Sequence, residues 1–105
     1  MGEPRMTLAT QRVLGAFLAD SDREFHGYEL GQEAGLASGT IHPILARLEA
    51  AGWLDSRWEE IDERAEGRRA RRYYRLTDSG VNAARTALAR VRPVGRLALR
   101  PSEGS

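Results

Sequence analysis

Residues 35–52 read GLASGTIHPILARLEAAG, and the fold turns on this stretch. Ile41, Ile44, Leu45 and Leu48 fall at spacings of 3, 1 and 3. That places them on one stripe of a helix with a period of 3.6 residues. Ahead of the stripe, Leu36-Ala37-Ser38-Gly39-Thr40 offers a serine hydroxyl to the first free N–H groups, with the cap at either Ala37 or Ser38. Behind it, Gly52 is suited to a left-handed helix stop. The opposite face carries Thr40, His42, Pro43 and Arg47. This short, polar, mildly cationic face fits two readings equally: an ordinary half-buried surface helix, or a helix that meets something outside the fold.

Working outward, Gly35 separates this helix from a short one over 28–34, whose Leu30 and Ala34 lie one turn apart and face the core. Two helices joined by a few residues with a glycine form the helix-turn-helix pattern, which hairpins with no nucleic-acid role also share. Further upstream, residues 10, 13, 14, 17 and 18 form the apolar stripe of a helix over 7–19, preceded by a flexible lead at 1–5. Downstream the period changes. Residues 53–58 and 72–76 are aromatic-rich and roughly alternate, which predicts two strands of a β-hairpin around a hydrophilic loop centred on Gly67. Thr77 is a natural N-cap for a last helix, with Asp78 in its first turn. Val81, Ala84, Leu88 and Val91 recur there at 3, 4 and 3, a seam suited to self-association. Pro93 is expected to stop that helix and leave 93–105 as a mobile tail. The chain thus reads as mainly α with a small β-hairpin, one domain over 6–92 whose segment 81–92 is a dimerisation helix.

The 105 residues support a single modest core. A chain of this size buries roughly two-thirds of its unfolded surface, so dimerisation is a plausible source of further stability. No apolar run approaches the ~18 residues of a membrane span, and the first residues lack a signal peptide's apolar core, so a cytoplasmic protein with no membrane partner is expected. The absence of cysteine excludes disulfides, thiolate metal sites and thiol chemistry. The net charge of +1 hides a sorting of charge by segment. Residues 59–66, EEIDERAE, hold five acids and one arginine; residues 67–75, GRRARRYYR, hold five arginines and no acid. All sixteen basic residues are arginine. Arginine suits bidentate phosphate and guanine contacts, although a GC-rich genome yields the same composition.

No nucleophile–base pair, phosphate loop or dinucleotide fingerprint is present. His26 and His42 lack the partners of a metal site beyond Glu29, and the acids crowd one loop instead of flanking a pocket. No metal, no cofactor and no catalysis are therefore expected. A binding reading gains instead from three neighbouring features: the polar-faced helix after a glycine turn, the arginine-bearing hairpin, and the final seam. Such a helix fits the major groove of double-stranded DNA, and a basic hairpin can follow the phosphates or enter the minor groove. The bland alternative for the hairpin is a solvated loop that protects a sheet edge.

Three blocks then converge: His26-Gly27-Tyr28-Glu29-Leu30; Gly39-Thr40-Ile41-His42-Pro43-Ile44-Leu45-Ala46-Arg47-Leu48-Glu49-Ala50-Ala51-Gly52; and Arg72-Tyr73-Tyr74-Arg75-Leu76-Thr77-Asp78-Ser79-Gly80. In this order they closely resemble the PadR family of bacterial winged-helix transcriptional regulators, over about residues 8–92. The family pattern runs G-Y-E-L, then G-T-[LIV]-[YH]-P-x-L-x-R-L-E-x-x-G, then R-x-Y-Y-x-L-T-x-x-G. His42 stands where Tyr is commoner and Ser38 where Pro is common. The resemblance is to a short form without the long C-terminal helical domain.

The resemblance implies a winged helix-turn-helix that dimerises through its terminal helices and represses from a palindromic operator. Carried over by position, Ser38, Gly39, Thr40, His42 and Pro43 enter the groove, and Arg47 makes a phosphate or intramolecular contact. Arg68, Arg69 and Arg71 carry the wing. Tyr28 is a phosphate contact or a core residue, the core being slightly favoured. Leu8, Val81, Ala84, Leu88 and Val91 form the dimer contact. One of Tyr73 and Tyr74 should pack inward, since adjacent strand residues face opposite ways. An unidentified small-molecule effector is compatible with this picture. The acidic half of the wing motivates a rival, a winged helix used as a protein-interaction module such as an antirepressor.

Overall fold

The structure is a computed structural model that describes the backbone of residues 3–103 and the side chains of 3–91. Helix α1 spans Leu8–Ala19, where Thr7 caps it by accepting the Thr10 N–H at 3.1 Å. Its inward residues Val13, Leu14 and Phe17 are almost completely buried. After the polar turn at 20–22 comes strand β1, Phe25–His26, which is too short to leave a periodic trace in the sequence. Helix α2, Gly27–Ala34, follows at once, and α3, Ser38–Ala50, packs against it. The predicted stripe of α3 faces inward: Ile41, Ile44, Leu45 and Leu48 are each at most 3% exposed.

The cap of α3 falls at the first of the two positions that the sequence leaves open. Ala37 occupies the N-cap position, no side chain caps the helix, and Ser38 is its first residue. At the other end, Gly52 takes the predicted left-handed conformation at φ 82°.

Strands β2, Leu54–Trp58, and β3, Arg72–Leu76, form the hairpin, and β1 pairs with the other edge of β3 to give the order β1-β3-β2. The register sets Leu54 opposite Leu76, Ser56 opposite Tyr74 and Phe25 opposite Tyr74 on the core face. Tyr74 therefore leans on the core, and desolvation raises its phenol pKa. Tyr73 lies on the outer face with His26. Phe17 and Phe25 meet edge to face at 5.3 Å between ring centroids, tying α1 to the sheet. Trp53, assigned from sequence to the strand, instead precedes β2 and is buried.

The last helix, α5, spans Asp78–Glu103 and so continues past Pro93, where a stop was expected. Proline removes one helical donor and crowds the preceding turn. The carbonyl it frees belongs to Ala89, an exposed residue where water can satisfy it. The side chains of 92–103, including Val94, Leu97 and Leu99, and residues 104–105 lie outside the described residues. One member of the seam on α5, Ala84, is also reassigned. Ala84 is fully enclosed in the core, while Val81 and Leu88 lean against it. Helical spacing of this kind serves packing on α1 as well as packing on a second subunit, and Ala84 is used within its own protomer. Leu8 is 64% exposed. Among the described residues no helix is long and apolar enough to cross a membrane.

Candidate nucleic-acid interface

The interface is built on the half of α3 that the core leaves uncovered. Ser38, Gly39, Thr40, His42, Pro43 and Arg47 are all exposed. Burial of Ile41 and Ile44 fixes the rotation of the helix, so the intervening residues must face outward. The imidazole of His42 lies over Gly27: a Cβ on Gly27 would stand 3.0 Å from the His42 Cε1. Pro43 sits inside the helix and forfeits one donor near its exposed N-terminal end.

Tyr28 is 71% exposed, which corrects the leaning toward a core role. Its hydroxyl accepts from Gln32 Nε2 at 3.0 Å across one turn of α2. The start of α2 is held by a capping box that sequence reading missed. His26 Nδ1 accepts the Glu29 N–H at 3.4 Å, and Glu29 Oε1 accepts the His26 N–H at 3.1 Å. The detectable signal was a polar residue three places before a glutamate, with histidine standing in for the usual serine or threonine. Since the imidazole caps the helix, His26→Ala should destabilise the domain by about 1 kcal/mol, with His26→Asn retaining most of that stability. Urea denaturation of the two variants measures the difference, and equal stabilities would refute the cap.

The wing is more ordered than a hydrophilic loop. Between its strands lies a one-turn helix α4, Glu63–Glu66, capped by Asp62, whose Oδ1 accepts from the Arg64 and Ala65 amides. Gly67 closes it at φ 71°, a left-handed conformation that strongly favours glycine. Glu59 grips Arg68 with both oxygens, at 2.8 and 3.0 Å, and also accepts the Arg71 N–H at 3.1 Å. Arg68, assigned from sequence to DNA, is thus occupied inside the wing. The physical reason is the charge sorting itself: acids on one arm of a hairpin lie across from arginines on the other. Arg72 is likewise engaged, donating to Ser56 Oγ at 3.0 Å and lying 3.5 Å from Glu49, with its guanidinium over the exposed Trp58 ring. Ser56 in turn bonds Glu49 at 2.5 Å, so α3 and the wing are tied together. Arg57 makes a bidentate pair with Glu24 at 2.7 and 2.8 Å while covering Tyr73. Among the described residues, Arg47, Arg69 and Arg71 take part in no ion pair.

The hydrogen bonds from Arg68 hold the Glu59 carboxyl at a pKa of about 2, well below the carboxylate range. A depressed carboxyl pKa contributes order that is fully present above the ordinary range and is lost only as pH falls through the folded value. The Arg71 amide resonance should therefore stay flat between pH 7 and 4 and move toward pH 2. A midpoint near pH 4.5 would contradict the pairing.

A polar-faced helix seated beside an ordered hairpin that keeps arginines outside its ion pairs is the winged-helix arrangement, and comparison with known proteins agrees. The model of the transcriptional regulator PadR-like family matches residues 16–86. The chain belongs to this family. The family and its neighbours are transcriptional regulators, not enzymes. The transcriptional regulator Rv3488 of Mycobacterium tuberculosis is 42% identical over 65 residues, a match covering 57% of this chain and 56% of that protein. This PadR-like chain thus spans about half the length of that relative. Among solved structures, the PcaV transcriptional regulator of Streptomyces coelicolor, in complex with its natural ligand, superposes with a TM-score of 0.71 at 28% identity, covering 91% of this chain and 62% of that one. A PadR family regulator from Eggerthella lenta shares the fold, with a TM-score of 0.68 at 24% identity over 93% of this chain and 88% of the other. Among the described residues of this PadR-like chain, no group of three or more His, Asp or Glu is placed to hold a metal ion.

Proposed function

We propose that this PadR-like regulator binds double-stranded DNA sequence-specifically, acting in the cytoplasm as a dimeric repressor on a palindromic operator. The observation that carries this reading is the outward half of α3, where five non-core positions, Ser38, Gly39, Thr40, His42 and Pro43, are exposed on a helix whose rotation the core fixes. A helix so presented fits the major groove, and its start, free of any side-chain cap, leaves N–H groups for a phosphate. Tyr28, Arg47, Arg69 and Arg71 supply further backbone contacts on this reading. Leu8 and the outer side of α5 around Val91 are the surfaces left for a second subunit, which would set two α3 helices on successive turns of the duplex. An unidentified small-molecule effector belongs to the proposal, supported by the ligand-bound PcaV structure.

The rival role as a protein-interaction module drew on the acids of the wing. Glu59, Asp62 and Glu63 are spent inside it, on Arg68, on the α4 amides and on the Ala70 amide, and this favours DNA. Fluorescence anisotropy with the duplex upstream of the protein's own gene, against a scrambled duplex, tests the function. Equal binding to both, or to neither, overturns sequence-specific recognition. Sedimentation of the free protein tests the dimer. Arg69→Ala with Arg71→Ala should weaken binding to every sequence and lower the log–log salt slope by about one unit for each phosphate no longer neutralised. An unchanged slope would remove both residues from the interface.

A further inference from the structure

On the DNA-binding reading above, we infer that Glu59 is a positioning residue: its carboxylate holds the wing in the conformation that presents Arg69 and Arg71 together. The carboxylate sits where the two arms of the wing come back into register. The Glu59 N–H donates to the Arg71 carbonyl at 2.7 Å, closing the hairpin beyond the last strand pair, Trp58 with Arg72. Its side chain then makes three further bonds across the same gap, two to the Arg68 guanidinium and one to the Arg71 N–H. Arg68 extends the clamp by donating to the Arg69 carbonyl at 3.2 Å. Glu63 adds a parallel tie, its Oε2 accepting the Ala70 N–H at 2.6 Å. The backbone of 69–71 is therefore bonded at each residue to an acid or to the arginine that Glu59 holds. The side chains of Arg69 and Arg71 are left outside this lattice and exposed.

This assignment reverses the sign expected from charge alone. An acid next to a phosphate-binding arginine should weaken DNA binding, so neutralising it should tighten the complex. If Glu59 orders the wing, neutralising it weakens the complex instead. Glutamine keeps one accepting oxygen but turns an NH2 group toward the guanidinium, which has no acceptor to offer it. Arg68 is then released, and the 69–71 backbone loses its tether. The neighbouring Glu60 supplies the control, since it is exposed and, among the described residues, makes no ion pair.

Glu59→Gln should bind operator and random duplex about threefold to tenfold more weakly than the wild type, the cost of ordering the wing and its two arginines only on binding. Glu59→Asp, which keeps the charge but shortens the reach, should also weaken binding. Glu60→Gln should bind as well as the wild type or better. Tighter binding by Glu59→Gln, or equal behaviour of Glu59→Gln and Glu60→Gln, overturns the assignment. Hydrogen exchange in the free protein gives a readout independent of DNA: the Ala70 and Arg71 amides should lose protection in Glu59→Gln and keep it in Glu60→Gln. Should the wild type bind no duplex, the function proposed above fails on its own, and this exchange comparison still decides the clamp, unchanged protection refuting it.

Discussion

Gly80→Ala should destabilise the domain by about 3 kcal/mol or more, at the upper end of what overpacking a well-filled site costs. Gly80 lies in the first turn of α5, and a Cβ there would overlap the Trp53 carbonyl oxygen and stand 2.8 Å from its carbonyl carbon. The obstruction is backbone, so no rotamer change relieves it. Trp53 cannot retreat easily: its N–H donates to the Leu48 carbonyl at 3.0 Å, its own carbonyl accepts the Thr77 N–H at 3.0 Å, and its ring is buried. The helix would have to move instead. That would disturb the Thr77 cap on Gly80, made at 2.9 Å, and lift Ala84 and Ala87 from the core. Helix propensity alone predicts the opposite sign, because alanine in a helix interior is favoured over glycine by up to about 1 kcal/mol. Gly15→Ala, in α1 with open space around the added methyl, is the matched control and should be stabilising. Urea denaturation of both variants decides the matter, and a stable Gly80→Ala protein would mean that α5 is not docked against Trp53 as described.

The same site shows what could and could not be read from the residues. Thr77, Asp78 and the stripe from Val81 announce a helix start because capping and periodicity are local properties. The reason for Gly80 is a contact with a residue 27 positions earlier in the chain, and no local pattern encodes it. Likewise the core face of α3 was legible in Ile41, Ile44, Leu45 and Leu48, since burial and helical period coincide there. The partners of the charged wing residues were not. Composition revealed five acids followed by five arginines, but the folded hairpin brings Glu59 to Arg68, and the packing of α3 on the sheet brings Glu49 to Arg72. Arg68 therefore read as a phosphate ligand and is a structural pair. Tyr28 read as a phosphate contact or a core residue with the core slightly favoured; its place at the first turn of α2 on the exposed side decides against the core. Ala84 read as a dimer contact and is enclosed in its own core for a third reason, since an apolar stripe does not name its partner.

The second large effect concerns discrimination and leaves stability aside. Thr40→Ala and His42→Ala should each reduce the preference for operator over random duplex by about 1–3 kcal/mol, the discrimination that one well-made interaction with a base edge supplies. Both side chains are exposed and contribute nothing to the core, so unfolding midpoints should stay close to the wild type. Neither residue carries the charge that neutralises phosphate in this reading, so affinity for random duplex and its salt slope should also be preserved. Arg47→Ala supplies the contrast. Arg47 is exposed one turn beyond Pro43 on α3, and loss of a phosphate contact there would weaken binding to both duplexes alike. The His42 variant adds a geometric test, because its ring lies against Gly27 in the free protein. If that packing aims the imidazole at a base edge, Gly27→Ala should reproduce part of the His42→Ala loss and have no further effect in the His42→Ala background, as a double-mutant cycle would register. Equal losses on operator and random duplex for Thr40→Ala and His42→Ala would remove them from base reading and make α3 a backbone-binding helix.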